Sequence, residues 1–215
     1  IRNGATILVL SDRGVDADNA AIPSLLAASA VHHHLLRELT RTTMELVVET
    51  GDAREMMHFA LLIGYGASAI YPYLAYETIA GLIAENVLNG GIDFRAAKKN
   101  FIKATRKGLL KIIAKMGIST IQSYRDAQIF EAVGLNDAVI DKYFYGTPSR
   151  IGGVGLEVIA KEVLLRHARA YRQDKLGGPD LEPGGQYHWR RGEEKHMYNP
   201  NTIAALQHAV RSNDY

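Results

Sequence analysis

Between Ser119 and Arg125 the chain places six hydrogen-bonding side chains in seven consecutive positions: Ser119, Thr120, Gln122, Ser123, Tyr124 and Arg125. Several of these groups donate to oxyanions, and Gln128 and Glu131 follow on what reads as the next helix. The run Ile118 to Tyr124 reads as a strand. Alternation then sends Ser119, Ile121 and Ser123 to one face and Thr120, Gln122 and Tyr124 to the other. Buried polar groups must find partners, so a strand this polar either lines a ligand cavity or lies at a sheet edge.

Three other places could carry chemistry. His32-His33-His34 sits in a helical pattern, where consecutive side chains point about 100° apart and all three cannot converge on one metal. The spacing is also not the i, i+4 of helical zinc motifs, so we read these as helix-surface or junction histidines and expect no metal. Gly152-Gly153-Val154-Gly155 could present amides to an anion, but it lacks both the dinucleotide and the P-loop spacing. We read it as a structural turn. Glu45 to Leu74 runs strand, glycine turn, helix and Gly-x-Gly-Ala into a further strand, the layout of a phosphate-binding barrel unit. Asp52 and Glu55 stand at the helix start, where they would repel a phosphate, which argues for a barrel-like unit without flavin.

The elements that must position these groups alternate. Strands are expected at Thr6–Leu10, Glu45–Glu49, Ala67–Tyr71 and Ile118–Tyr124, each a short apolar or β-branched run ended by turn residues. Helices are expected from Pro23, over Asp52–Ile63, around Leu74–Leu88 and Phe94–Lys115, over Asp126–Val133 and over Leu156–Arg172. A last one starts at Asn199-Pro200, as N-cap and first position. Gly146–Gly155 and Leu176–Gly192 read as loops. Strand, crossover helix, strand is the βαβ unit, so the fold class is α/β with parallel strands, the last part an incomplete (β/α) barrel beginning. Chemistry in such folds gathers at the carboxyl ends of the strands: Asp12-Arg13, Glu49-Thr50, Tyr71-Pro72 and Gln122 to Arg125.

Composition narrows the classes. The 215 residues are 47% hydrophobic, enough for a sizeable core. The 25 basic and 23 acidic side chains leave a net charge of +2, scattered apart from Lys98-Lys99 and Arg190-Arg191, which gives no nucleic-acid footprint. Without cysteine there is no disulfide, no thiol nucleophile and no cysteine-ligated cluster within these residues. No apolar stretch approaches the roughly 20 residues of a membrane span. The start, Ile1-Arg2-Asn3-Gly4, has no initiator methionine and no signal-peptide layout, and we expect both ends to be cut.

SAVHHHLLRELTRTTMELVVETGDAREMMHFALLIGYGASAIYPYLAYETI closely resembles the end of the central domain of glutamate synthases. KGLLKIIAKMGISTIQSYRDAQIFEAVGL, TPSRIGGVGLEVI and QYHWRRGEEKHMYNP resemble the opening of that family's flavin domain. One departure is Asp126, where the resemblance leads us to expect glycine. The resemblance implies residues 1–92 as the end of the central domain and 93–215 as the start of the FMN-binding domain. It implies an enzyme that makes two glutamates from glutamine and 2-oxoglutarate, with FMN and an iron–sulfur cluster in the full-length protein. Ser119, Thr120 and Gln122 would lie on the FMN side, and Tyr124, Arg125, Gln128 and Glu131 on the 2-oxoglutarate side; no catalytic acid or base is assigned. The fragment alone is expected to be inactive and to bind no cofactor.

Its expected partners are the remaining domains of the same polypeptide and an electron donor, either a small subunit or ferredoxin. Neither nucleic acid nor membrane is expected, and the location is cytoplasmic, or a plastid in a photosynthetic eukaryote. Two other classes stay open at this point: a small stand-alone FMN-barrel oxidoreductase, and a non-catalytic scaffold domain.

Overall fold

A computed structural model describes residues 4–88, 91–171, 189–192 and 194–213. The chain divides into two compact units, Ile1–Tyr171 and Arg172–Tyr215. In the second, an α-helix at Pro200–Ser212 begins as its sequence dictates. Asn199 caps it, accepting from the amides of Asn201 and Thr202, and Pro200 occupies the first turn. Most of the expected loop Leu176–Gly192 lies outside the described residues.

The first unit opens with three parallel strands, β1 (Ile7–Ser11), β2 (Glu45–Glu49) and β3 (Ala69–Tyr71), in that spatial order. Leu10 pairs with Val48 and Val48 with Ile70, so one face collects aliphatic side chains in register. Helices α1 (Ser24–Arg37) and α2 (Met56–Gly64) are the crossovers. They bury that face around Leu46, Val48, Ala28, Phe59, Leu62 and Ala67. Leu46 is fully buried, and emptying such a site costs about 2–5 kcal/mol. Helices α3 (Tyr73–Ala84) and α4 (Phe94–Lys115) follow, α4 capped by Asp93 through the amide of Ala96. Phe101 on α4 meets Phe59 and Tyr76 edge-on, and Gly108 lets α4 close on the Met56 side chain.

After α4 the structure departs from the expected strand at Ile118–Tyr124. Thr120 caps a single helical turn, α5 (Ile121–Tyr124), by accepting from the amide of Ser123. The reason is local: a Thr-x-x-Ser run satisfies its own backbone. Nor does a helix form over 126–133. Asp126 takes a left-handed φ of 60°, its amide bonds the carbonyl of Gly64, and the chain enters β4 (Ala132–Leu135). Helix α6 (Asp137–Tyr143), capped by Asn136, then crosses over to β5 (Ser149–Val154), parallel to β4. The expected glycine loop is therefore mostly a strand, because its glycines allow close approach. A Cβ at Gly153 would strike the backbone of Gly134. Helix α7 (Leu156–Ala170) closes the unit.

Two small parallel sheets with crossover helices are an α/β fold. They are joined through Tyr65 at the end of α2, which stacks on Phe130, meets Phe144 edge-on and bonds Thr147 Oγ1 at 2.7 Å. Behind it Arg41 bonds the carbonyls of Met44 (2.5 Å) and Gly66 (2.7 Å) and the Nδ1 of His32 (2.9 Å). Gly66 has a φ of +102°, and a Cβ there would collide with the His32 ring. Gly66→Ala should therefore lower stability by about 1–3 kcal/mol, read as a lower urea midpoint at unchanged slope. An unchanged midpoint would contradict the close packing at this turn.

Candidate functional site

Three of the four expected strand ends meet, at the carboxyl edge of the β1–β3 sheet. The Asp12 carboxylate accepts from Thr50 Oγ1 at 2.7 Å and from the amide of Gly51 at 3.0 and 2.9 Å, one to each oxygen. Thr50 is buried, and its Oγ1 also accepts from the Asp52 amide at 2.9 Å. Ser24, first residue of α1, sits 2.5 Å from Thr50 Oγ1 and donates to Asp52 Oδ2 at 2.8 Å. The ends of β1 and β2 and the start of α1 are thus tied by one network, with Ser24 and Thr50 buried at its centre.

Beside it, Arg13 donates to Glu49 at 2.6 Å and to Glu77 at 3.3 Å. Its guanidinium lies 4.1 Å from the centre of the Tyr73 ring and 5.9 Å from that of Tyr71. Ser11 Oγ bonds the second oxygen of Glu49 at 2.6 Å. The Ser11 bond, and then the Arg13 bond, hold the Glu49 carboxyl below its usual range. Tyr73 is pushed up to about 12, by burial first and then by Asp12, which accepts its hydrogen bond. A cavity of ≈ 490 Å³ lies alongside, lined by Ser11, Asp12, Gly14, Asn19, Ile22 and Glu49 among others.

The chemistry this permits is limited. A loop amide and a buried hydroxyl at a strand end could receive a phosphate in a flavin barrel, but here Asp12 already takes both. Asp52 adds a second carboxylate, and Glu55 accepts at the start of α2 as its N-cap. An incoming phosphate would meet the carboxylates of Asp12, Asp52 and Glu55 and would have to displace Asp12 from Thr50 and Gly51, so these strand ends fit the phosphate of FMN poorly.

The residues expected on the flavin and keto-acid sides are not gathered into one cavity. Ser119, Thr120 and Gln122 are exposed on the turn at α5, with Thr120 Oγ1 2.9 Å from Ser123 Oγ. Tyr124 is fully buried and donates to the carbonyl of Ala60 at 3.2 Å, which spends its hydroxyl inside the core. Arg125 has a buried Nε without a partner. Gln128 bonds the carbonyl of Gly146 at 2.8 Å and lines a ≈ 190 Å³ cavity with Tyr65, Asp126 and Thr147. Glu131 sits 3.7 Å from Arg150.

Of the histidines, read as helix-surface or junction residues, His34 is exposed and His32 and His33 are buried. One nitrogen of each buried ring and an oxygen of Asp126 lie within 4.8 Å of one another. Arg41 donates to His32 Nδ1, which places the His32 proton on Nε2, 3.3 Å from Asp126 Oδ1. A proton in that position faces the carboxylate at ion-pair range without the alignment of a hydrogen bond and leaves no lone pair there for a metal, and His32 in turn depresses the Asp126 carboxyl. No local signal marks this meeting, since Asp126 lies 94 residues along the chain from His32. Ser24 and Glu77 were likewise unmarked until the fold brought them to the strand ends.

Parallel strands with crossover helices, and strand ends closed by their own carboxylate, define an α/β domain. The chain matches the glutamate synthase central domain over residues 1–136, and it belongs to that family. It is 50% identical over 215 residues to the glutamate synthase [NADPH] large chain of Bacillus subtilis, covering all of this chain and 14% of that protein. It is 45% identical over 216 residues to glutamate synthase [NADH] of Schizosaccharomyces pombe, covering 99% of this chain and 10% of the other. The ferredoxin-dependent, chloroplastic glutamate synthase of Spinacia oleracea is 42% identical over 222 residues, with 99% and 14% covered. The chain thus spans no more than about one seventh of these relatives.

Asp12→Ala should leave Thr50 and Gly51 without their acceptor and cost about 1.5–3 kcal/mol, measured by urea unfolding at neutral pH. Glu49 has a depressed folded pKa, so its contribution is present above the unfolded value and is lost as pH falls through the folded one. The stability gap between wild type and Glu49→Gln should therefore be open at neutral pH and close on acidification below the unfolded glutamate pKa. A gap that widens in acid would contradict the assignment.

Proposed function

We propose that this chain is one piece of a longer glutamate synthase polypeptide, serving there as an organising element rather than as a complete catalytic unit. The observation that carries this reading is the filled strand-end seat. Asp12 occupies the amide and hydroxyl that a flavin phosphate would use, while the family match and full-length similarity tie the chain to glutamate synthases. The whole enzyme, on this reading, joins the amide nitrogen of glutamine to 2-oxoglutarate and reduces the product with two electrons, giving two glutamates. FMN would supply the reducing chemistry and an iron–sulfur cluster the electron path. With no cysteine in these residues, the cluster thiolates belong elsewhere in the polypeptide.

We place the junction with the flavin domain differently from the sequence expectation. The extent of the family match supports a change of domain near residue 136 rather than after residue 92. Packing argues only against a break after residue 92, because α4 rests on α2 and α3 in a compact unit that runs to Tyr171. Ser119, Thr120 and Gln122, exposed on their turn, are the side chains we assign to contact with the flavin region of the intact protein. Arg125, Gln128 and Glu131 are assigned to the keto-acid side; the partnerless Nε of Arg125 is the support for an oxyanion there. The electron donor would be ferredoxin or a nicotinamide-linked small subunit. The location would be the cytoplasm, or a plastid in a photosynthetic eukaryote; among the described residues no helix is long and apolar enough to cross a membrane.

Titrating FMN into the 215-residue protein, followed by flavin fluorescence, should show no saturable binding. Micromolar saturation would mean a complete pocket within these residues and would sink the organising role. In the full-length protein, Gln122→Ala should weaken flavin retention or raise the KM for 2-oxoglutarate about tenfold, the effect of losing one hydrogen bond to a charged ligand. Unchanged retention and KM would remove Gln122 from the assignment.

A further inference from the structure

Helix α4 carries eight cations, Arg95, Lys98, Lys99, Lys103, Arg106, Lys107, Lys111 and Lys115, and no acidic residue in 22 positions. Its inner side is spent on the core through Ala97, Phe101, Gly108 and Ile113. Seven of the cations are exposed. Lys98 lies over the Tyr76 ring at 4.2 Å. None of the eight makes an ion pair with the described residues. Six of them recur at every fourth position from Arg95 to Lys115, a row of about 30 Å along the helix.

This row conflicts with local electrostatics at every level. Like charges at i, i+4 repel. Arg95, Lys98 and Lys99 also sit in the first turns, where the helix dipole favours acids, and the first turn has none. Chain-wide the acids nearly balance the bases, 23 against 25, yet none of the described acids pairs with this face. A local conflict kept in an otherwise consistent fold points to a role outside the unit.

We propose that the outer face of α4 is a docking surface for an acidic face on another domain of the same, longer polypeptide. This rests on the reading of the chain as part of a longer glutamate synthase. The chain spans 14% of the Bacillus subtilis relative, so most of the surface it meets belongs to its own polypeptide, held at high effective concentration. The exposed Ile102 and Leu110 stand beside and among the cations, giving the mixture of apolar and charged contact that suits a protein interface. A membrane would instead need an apolar face free for lipid, and here that face is in the core.

The test is carbodiimide coupling of amines to carboxylates in the full-length protein, read by mass spectrometry on a mixture of ¹⁴N and ¹⁵N preparations. Lys99, Lys103, Lys107 and Lys111 should couple to Asp or Glu outside these 215 residues, within one isotopic species. The products should fall several-fold at about 1 M salt, where the screening length is near 3 Å. Lys103→Glu with Lys107→Glu should lose them while the far-ultraviolet dichroism is kept. Coupling between isotopic species, capture of duplex DNA by the same lysines, or lysines as open to acetylation as the exposed Lys195 would each overturn the proposal. A gene that encodes no longer polypeptide would instead defeat the reading beneath it, before any coupling is attempted.

Discussion

The Asp12 carboxylate sets the terms for the carboxyl end of the first sheet. Parallel strands converge there with amides and hydroxyls that have no ladder partner, and something must accept from them. Asp12 does so with both oxygens, for Thr50 Oγ1 and the Gly51 amide. Thr50 then accepts from the Asp52 amide, and Asp52 from Ser24 at the head of α1. A ligand-binding α/β protein leaves this position to its ligand and gains affinity from unmet donors. Here the donors are met internally, so the strand ends hold without a ligand and have little to offer one.

The same logic runs through the loop behind the sheet. Arg41 satisfies the carbonyls of Met44 and Gly66, groups that no helix or strand would reach. Its remaining donor fixes His32 with a lone pair toward the guanidinium and a proton toward Asp126. Asp126 accepts a left-handed backbone that a glycine would hold more easily. The return is a carboxylate at the mouth of a buried imidazole pair, where His33 is itself kept neutral by burial and by its neighbour. The chain joins its two sheets across this point, which explains why a polar cluster sits so deep in the unit.

What could be read from the sequence follows from how local each signal was. β2 and α4 appear with the bounds their residues predict, because β-branched runs and a capped, periodic 22-residue pattern need no distant contact. Asn199-Pro200 opens its helix for the same reason. The failure at Ile118–Tyr124 is equally physical. A strand needs a partner edge, whereas Thr120 can satisfy Ser123 alone, so the short-range bond prevailed over β-branched propensity. Gly152 and Gly153 misled in the other direction: their small size reads as a turn, yet it lets β5 lie against Gly134. Of the candidate site, the strand-end rule found Asp12, Arg13, Glu49 and Thr50, while Ser24, Glu77 and the His32–Asp126 meeting required the fold.

Charge separates the inward from the outward half of this domain. Around the first sheet and the loop behind it ionic groups are matched at short range: Arg13 with Glu49 and Glu77, His32 with Asp126, Arg41 with carbonyls. On α4 none of the cations makes an ion pair with the described residues, and Lys98 alone lies over aromatic rings. A domain that neutralises its own strand ends but leaves one helix uniformly cationic holds its shape by short-range bonds and presents its charge to its surroundings. On the reading proposed above, a strand-end seat closed by Asp12 and an α4 face left open give this chain its part through what it touches. That is the division expected of a piece whose relatives are many times longer.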